Sequence, residues 1–360
     1  MSVWVQVVQH LRPGGIETMA LDLQRIENGD DDAYIISLEG DKQAALNAWP
    51  RLKACSDRLI FMNKKTGLSL LLLIRLRRLL KSLNANAVHT HHIGPLIYGG
   101  LAARLAGIKT VIHTEHDAWH LRDSKRRLLQ QWIIARVNPM LVADADLVAR
   151  DMQQSLGLNR EQIRIIKNGV NTHQFVTGDK ADARKCLKLP ENVPLIGCAG
   201  RLELEKGHKV LLEAMAILDP KIHLVLAGDG SQRAALEQQA QAANISHRVH
   251  FLGAIETMPT FYQSLDLFCL PSFFEGLSLV ILEAQACGIP AVVTHVGASH
   301  EALCPRTGKL VEPGSPFALA QALETEIGRT HQESPRHFVK QSGDLRATVR
   351  HYAALRNHCA

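Results

Sequence analysis

Short runs of β-branched and aliphatic residues alternate with helix-period segments along this 360-residue chain. Such alternation marks strands joined by covering helices in open parallel sheets, so an α/β fold is expected. In the first half, strands are expected near Val3–Val8, Tyr34–Ser37, Leu59–Phe61, Ala87–Thr90, Thr110–His113, Leu147–Ala149 and Ile163–Ile166. Helices are expected at Ile16–Ile26, Leu68–Leu83, Gly94–Ala106 and Lys125–Val137. The pattern then restarts, with strands at Leu195–Ala199, His223–Ala227, Val249–Leu252, Leu265–Leu270 and from Ala291. Its helical segments are Lys209–Ile217, Ser231–Ala243, Met258–Ser264, Leu277–Cys287 and Phe317–Ile327. The chain is long for one core, so two domains are expected, 1–170 and 171–334, followed by 335–360. Asn168–Lys180, turn-rich and weakly apolar, reads as the hinge region; Ser334–Gly343 reads as a tail before a last helix, Leu345–His358.

Charge and hydropathy narrow the function classes. Hydrophobic content of 46% and charged content of 21% suit a soluble globular protein, and the formal charge of +6 suits an anionic ligand or an anionic membrane surface. The start, Ser2–His10, is too short and polar for a secretion signal and reads as the first strand. The longest apolar run, Leu68–Ile74, is far below a membrane span. Seven scattered cysteines, Cys359 among them, include no Cys-x-x-Cys pair, and a reducing cytoplasm fits best.

The richest segment is Pro271–Pro290, where Glu275 and Glu283 stand eight positions apart. It reads as a strand end, a tight loop and a helix opening at Gly276-Leu277-Ser278, stopped by Gly288. Free N–H groups and the positive dipole end there favour a phosphate. One carboxylate sits at that mouth and the other about 12 Å along the helix. This layout suits a nucleoside diphosphate-sugar, with sugar at one end, diphosphate in the middle and ribose at the other. Glu283 lies among Ile281, Leu282 and Ala284, so a polar partner is expected for it.

Three other strand-to-helix turns share this logic. Gly14-Gly15-Ile16-Glu17 can bring backbone N–H groups to an anion, although turns use Gly-Gly constantly. Gly200-Arg201 through Lys206-Gly207 offers two cations for a diphosphate; the competing reading is a solvated charged turn with Glu203 and Glu205 as partners. Ala227-Gly228-Asp229-Gly230 is a lone Gly-x-Gly. Histidine is abundant, and His89-Thr-His91-His92 and His113-Thr-Glu-His116-Asp117 fall at strand ends, where open sheets place their ligand crevice. A hydrogen-bonding or proton-relay role suits them better than metal ligation, since no Cys pair or His-Glu-x-x-His helix supports a metal.

The segment 68–83 is amphipathic. Leu72, Leu76, Leu79, Leu80 and Leu83 share one face, and Arg75, Arg77, Arg78 and Lys81 the other. An ordinary sheet-covering helix explains the apolar face. The basic side, with Lys64, Lys65 and Lys125-Arg126-Arg127, is a candidate footprint for anionic lipid. Nucleic acid is not expected, because aromatics are only 5% and do not interleave with the basic residues.

In order along the chain, Gly14-Gly15-x-Glu17, Asn168-Gly169-Val170, Gly200-Arg201-x4-Lys206-Gly207, Ala227–Gly230, Phe251-Leu252-Gly253 and Glu275-x7-Glu283 resemble the retaining glycosyltransferases of the GT-B fold. This is the large group that includes sucrose synthase and bacterial lipid-glycan mannosyltransferases. The resemblance implies two Rossmann-like domains facing a cleft, the nucleotide-sugar on the second, the acceptor on the first, and a final helix crossing back. It implies a hexosyltransferase that needs no metal or other cofactor, using a UDP- or GDP-sugar and a saccharide or lipid-linked acceptor in bacterial cell-surface polysaccharide synthesis. The cytoplasm, or the inner face of its membrane, is the expected location.

Carried over by position, Arg201 and Lys206 resemble the diphosphate clamp, and Gly276, Leu277 and Ser278 the backbone donors. Glu275 resembles the carboxylate on the donor sugar, and Glu283 the one on ribose. Gly14, Gly15 and Gly228 are expected near the nucleotide, and Leu252, within Phe251–Ala254, near its base. Glu17 falls on the acceptor side, and His116 matches the family's cleft histidine. Two departures stand out: Ala298 follows Gly297 where a second Gly is common, and Ala149-Arg150-Asp151 replaces the small hydroxyl residue after the last strand of the first domain. A silent sugar-nucleotide-binding scaffold subunit and a sugar-nucleotide epimerase of the same fold are the alternatives.

Overall fold

The computed structural model describes residues 3–26 and 32–357. Ser2, His358 and Cys359, named above in the first strand, the last helix and the cysteine set, lie outside them. The chain divides into two compact units. One runs to Asn168 and resumes at Leu345; the other is Gly169–Asp344.

The first unit holds a seven-stranded sheet. Its strands are β1 (Val3–Val8), β2 (Asp32–Ser37), β3 (Leu59–Phe61), β4 (Ala87–His91), β5 (Thr110–Glu115), β6 (Met140–Ala143) and β7 (Ile163–Ile165). The order is β3-β2-β1-β4-β5-β6-β7 and every pairing is parallel; Val5, for example, lies between Tyr34 and Val88. Both faces are covered, which is why β1 and β4 are apolar or buried almost throughout. Leu72, Leu76, Leu80, Ala102, Ala103, Ile133 and Val137 pack on one face from helices Leu70–Ser82, Leu101–Ala106 and Ser124–Val137. Ala20, Leu21 and Leu52 pack on the other, from helix Gly15–Ile26 and the turns at 50–58. The last helix, Leu345–Asn357, belongs to this unit: Tyr352 is fully buried with its hydroxyl 3.0 Å from Thr114 Oγ1, and the Arg356 guanidinium lies 4.4 Å from the Trp4 ring centre.

The second unit repeats the plan with six parallel strands: β8 (Leu195–Ala199), β9 (His223–Ala227), β10 (Val249–Gly253), β11 (Leu267–Leu270), β12 (Ala291–Thr294) and β13 (Gly308–Val311). Their order is β10-β9-β8-β11-β12-β13. Helices His208–Met215, Arg233–Ala242 and Pro316–Glu326 enclose a core containing Leu211, Met215, Leu224, Leu236, Leu267 and Leu323. In each sheet the winding reverses at the first strand, between β1 and β4 and between β8 and β11. Ligand crevices open at such reversals, outside the strands' carboxyl ends.

The structure adds strand Gly308–Val311 and helix Lys42–Ala48 to the expected elements, and it departs from the sequence reading elsewhere as well. Leu147–Ala149 is not a strand but part of helix Asp146–Leu156, whose Val148, Ala149, Met152 and Leu156 are buried at helical spacing. The strand is Met140–Ala143, so Asp144 and Ala145, not Ala149–Asp151, follow it. The segment 335–360 is two helices. Ser334 and Pro335 begin the helix Pro335–Ser342: the Ser334 hydroxyl accepts the Arg336 N–H and proline sits in the first turn, where its missing N–H costs nothing. That helix packs on Leu279–Ala286 and belongs to the second unit. Within the expected hinge, Asp179 caps a further helix, Lys180–Cys186.

Candidate functional site

At the reversal point of the second sheet, four glycine-rich turns come into contact. Gly207 (φ +66°) lies against Pro271: a Cβ there would sit 2.1 Å from the Pro271 carbonyl oxygen. At Gly228 (φ +143°) a Cβ would be 1.9 Å from the Gly200 oxygen, and at Gly297 (φ +49°) 1.7 Å from the Glu275 oxygen. Only glycine allows these backbones to approach so closely. The turns after β8, β9, β11 and β12 are thereby locked together, with Phe273 N–H donating to the Glu205 carbonyl (2.8 Å).

This packing delivers Lys206 to Glu275. Lys206 Nζ donates to Glu275 Oε1 at 2.6 Å, and Ser272 Oγ donates to the same oxygen at 2.7 Å. Glu275 is only 7% exposed. Thr294, at the end of β12, steadies the loop by donating to the Ser272 carbonyl (2.6 Å). The helix opens later than expected, at Leu279, with Ser278 as its cap residue and Leu277 buried beside it. Gly276-Leu277-Ser278 therefore form the approach to the helix rather than its first turn, because Ser278 keeps an extended backbone (ψ 114°). The first-turn N–H groups from Leu279 onward lack intrahelical acceptors.

Arg201 is placed differently. Its side chain is 61% exposed and pairs with Glu205 Oε1 at 3.1 Å, while Glu203 accepts from the Ser231 backbone and hydroxyl. Glu283 has the polar partner its surroundings demanded: the Tyr262 hydroxyl donates to its Oε2 at 2.7 Å, and burial with the adjacent carboxylate drives the Tyr262 phenol well above its ordinary range. Leu252 lies at an irregularity in the β9–β10 pairing, between Phe251 and Gly253, and Gly228 N–H donates to the Gly253 carbonyl (2.8 Å).

His208 was not anticipated. It opens the helix after Gly207, is buried, and neither ring nitrogen has a hydrogen-bond partner among the described residues. Burial, with Lys206 nearby, lowers its pKa to about 4, so it is neutral at pH 7. A hollow of about 630 Å³ lined by Cys304, Arg306, Glu333 and His337 lies before β13, at the strands' amino ends and away from these turns.

In the first unit, Gly14 precedes the helix containing Gly15 and Glu17, and Glu17 Oε1 lies 3.1 Å from His10 Nδ1. Gln9 reaches Gly94 across the sheet's reversal: a Cβ on Gly94 would be 2.3 Å from Gln9 Oε1. His116 is buried with both nitrogens engaged, Nδ1 2.9 Å from Asp144 Oδ2 and Nε2 3.1 Å from His91 Nδ1. The chain continues to Gln6, whose amide nitrogen donates to Ala20 O, turning its oxygen toward His91 Nε2 (3.2 Å). His91 must then donate from Nε2 and accept at Nδ1. His116 consequently donates from Nε2, and its Nδ1 faces the Asp144 carboxyl group. Burial raises the Asp144 pKa, and Asn168 donates to the same carboxylate oxygen (2.8 Å).

Beside this relay, burial would raise the Glu115 pKa, but His113, His92 and His120 more than offset it and hold the carboxylate well below its usual range. His120 rises to about 8, because Asp117, Glu115 and Gln130 outweigh its burial. His92 adopts φ +67°, a strained conformation for a side-chain-bearing residue, at the end of β4. Only its position just after a strand could have signalled this. Among the described residues, no group of three or more His, Cys, Asp or Glu is arranged to hold a metal ion.

Comparison with known proteins adds independent findings. The family described as glycosyl transferases group 1 matches residues 179–342, and glycosyltransferase family 4 matches residues 13–174. The EpsF protein of Bacillus subtilis is 30% identical over 272 residues, covering 72% of this chain and 71% of that one. A D-inositol 3-phosphate glycosyltransferase of Corynebacterium urealyticum is 32% identical over 281 residues; the match spans 72% of this chain and 63% of the relative, under two thirds of its length. The fold matches that of HepE from Anabaena, solved in complex with UDP-glucose, with a TM-score of 0.85 over 98% of this chain and 99% of that one at 22% identity.

Proposed function

Because this chain belongs to the group 1 glycosyltransferases and has their GT-B fold, we propose that it is a retaining hexosyltransferase. It moves a sugar from a UDP- or GDP-sugar to a saccharide or lipid-linked acceptor in bacterial cell-surface polysaccharide synthesis. It works without a metal ion, at the cytoplasmic face of the membrane. The observation that carries this reading is the convergence of Lys206 on Glu275 beside the opening of helix Leu279–Ala286.

Cleaving a glycosyl–phosphate bond builds negative charge on the departing diphosphate. A fixed ammonium and a helix N-terminus stabilise that charge without reorganising. Arg201 joins them at small cost, since an exposed i,i+4 ion pair such as Arg201–Glu205 is worth only about 0.3–0.5 kcal/mol. Both hydrogen bonds found for Glu275 among the described residues use Oε1, leaving Oε2 to accept from sugar hydroxyls. Glu283, oriented by Tyr262, takes the ribose hydroxyls. In the transfer, the bond from the anomeric carbon to phosphate breaks and the bond to the acceptor oxygen forms on the same face. The acceptor's hydroxyl proton passes to the leaving phosphate oxygen.

The test is a panel of nucleotide-sugars assayed for nucleoside diphosphate release in the presence of a chelator. One UDP- or GDP-sugar is expected to be consumed, with Lys206→Ala slower by about 100-fold or more, the scale of losing one preorganised electrostatic contact. Absence of release with every donor, or an absolute requirement for a divalent ion, would overturn the reading.

A further inference from the structure

Leu68, Leu70 and Leu71 are exposed by 90%, 82% and 66%. They introduce or begin the helix Leu70–Ser82, whose Leu72, Leu76 and Leu80 already satisfy the core. The same helix exposes Ile74 among Arg75, Arg77, Arg78 and Lys81. Its neighbours on that face of the first sheet repeat the pattern. Leu101–Ala106 exposes Leu105, and Ser124–Val137 exposes Leu128, Leu129 and Trp132, the last 50% exposed and stacked near the Arg136 guanidinium (5.2 Å). The three helices share one core, so their outer sides form one continuous layer.

None of these three helices contains an Asp or Glu. Across the same sheet, Gly15–Ile26 carries Glu17 and Asp22, and Asp22 is ion-paired to Arg51. Solvated helices ordinarily mix both signs and keep large aliphatic side chains inside. A layer whose helices carry basic but no acidic residues, with outward leucines, isoleucine and tryptophan, matches a surface that is negative outside and apolar just beneath. Among the described residues no helix is long and apolar enough to cross a membrane, so such contact would be peripheral.

We propose that the outer layer of helices Leu70–Ser82, Leu101–Ala106 and Ser124–Val137 docks on an anionic lipid bilayer. Leu70, Leu71, Ile74, Leu128 and Trp132 enter the headgroup boundary, while Arg75, Arg78 and Lys81 meet lipid phosphates. This holds whether or not the donor chemistry proposed above is correct.

Sedimentation of the full chain with vesicles of phosphatidylcholine alone, or with roughly one third phosphatidylglycerol, tests it. Binding is expected only to the anionic vesicles and is expected to weaken as salt rises toward about 1 M, where the Debye length is about 3 Å. Each basic residue at a membrane surface contributes about 5-fold, so Arg75→Glu, Arg78→Glu and Lys81→Glu together should lower partitioning by about 100-fold or more. Leu71→Ser with Ile74→Ser and Trp132→Ser should lower it about 10-fold or more by removing the inserted side chains. Lys42→Glu with Lys53→Glu, on the opposite face, should change it less than 5-fold. These positions are all at least partly exposed, and matching circular dichroism melts confirm that each variant folds. Three results would each overturn the proposal: no binding to anionic vesicles, equal loss in the opposite-face variant, or a lipid-free dimer abolished by the Leu71→Ser set while vesicle binding persists.

Discussion

Replacing Tyr262 by Phe removes one hydroxyl and leaves the space filled. The ring packs against Phe261, Phe268 and Phe175 with centroids 5.3, 5.7 and 6.0 Å away, and all of those contacts survive. What disappears is the 2.7 Å bond to Glu283 Oε2, inside a pocket where the carboxylate is only 8% exposed. A hydrogen bond to a charged group contributes about 1.5–3 kcal/mol, so a loss of roughly 2 kcal/mol in unfolding free energy is expected. Urea titration followed by far-UV circular dichroism measures it. Tryptophan fluorescence would not, because Trp4, Trp49, Trp119 and Trp132 all lie in the first unit. In a Glu283→Gln background the bond becomes neutral, and the same Tyr262→Phe change should cost only about 0.5–1.5 kcal/mol. A loss under about 0.5 kcal/mol, or equal losses in the two backgrounds, would refute the claim that this phenol serves a buried carboxylate.

Gly297→Ala forces a Cβ to within 1.7 Å of the Glu275 carbonyl at a left-handed backbone position, so the loop bearing Glu275 must shift by more than 1 Å. We expect about 2–4 kcal/mol of destabilisation from strain and overpacking. Displacement on that scale should slow donor turnover about 100-fold, read in the nucleoside diphosphate release assay. His208 should make stability acid-sensitive. Its folded pKa of about 4 lies below the ordinary 6.5, so the unfolded chain takes up a proton that the folded chain refuses between those values. Its stabilisation is complete above pH 6.5 and lost as pH falls toward 4, about 2–4 kcal/mol in all. Urea midpoints measured across that window should flatten in His208→Asn; an unchanged slope would contradict the assignment.

The expected strand positions largely coincide with observed ones because buried parallel strands are dense in Val, Ile and Leu. One exception is instructive. Leu147-Val148-Ala149 is as apolar as a strand, and only the buried spacing through Met152 and Leu156 identifies it as helix. At the candidate site, the glycines and charged residues were legible as types at strand ends, and Glu283's need for a partner followed from its apolar flanks. That the partner is Tyr262 was not legible, since nothing local links a residue before β11 to one on the following helix. Nor was it legible that Arg201 faces solvent while Lys206 turns inward; five residues of loop leave that choice to contacts such as Phe273 N–H with Glu205 O.

By itself the sequence determined two successive α/β units, because periodicity and helix-capping signals act over a few residues, and it determined that glycine-rich turns would close several strands. Only the tertiary structure decided which charges meet. Lys206 and Glu275 are 69 positions apart, and they touch because sheet order places β8 next to β11 and because glycines 207, 228 and 297 let backbones approach more closely than any side chain would permit. The outward leucines of Leu70–Ser82 have the same origin: a helix pattern allows several apolar stripes, and the sheet beneath selects the one that is buried.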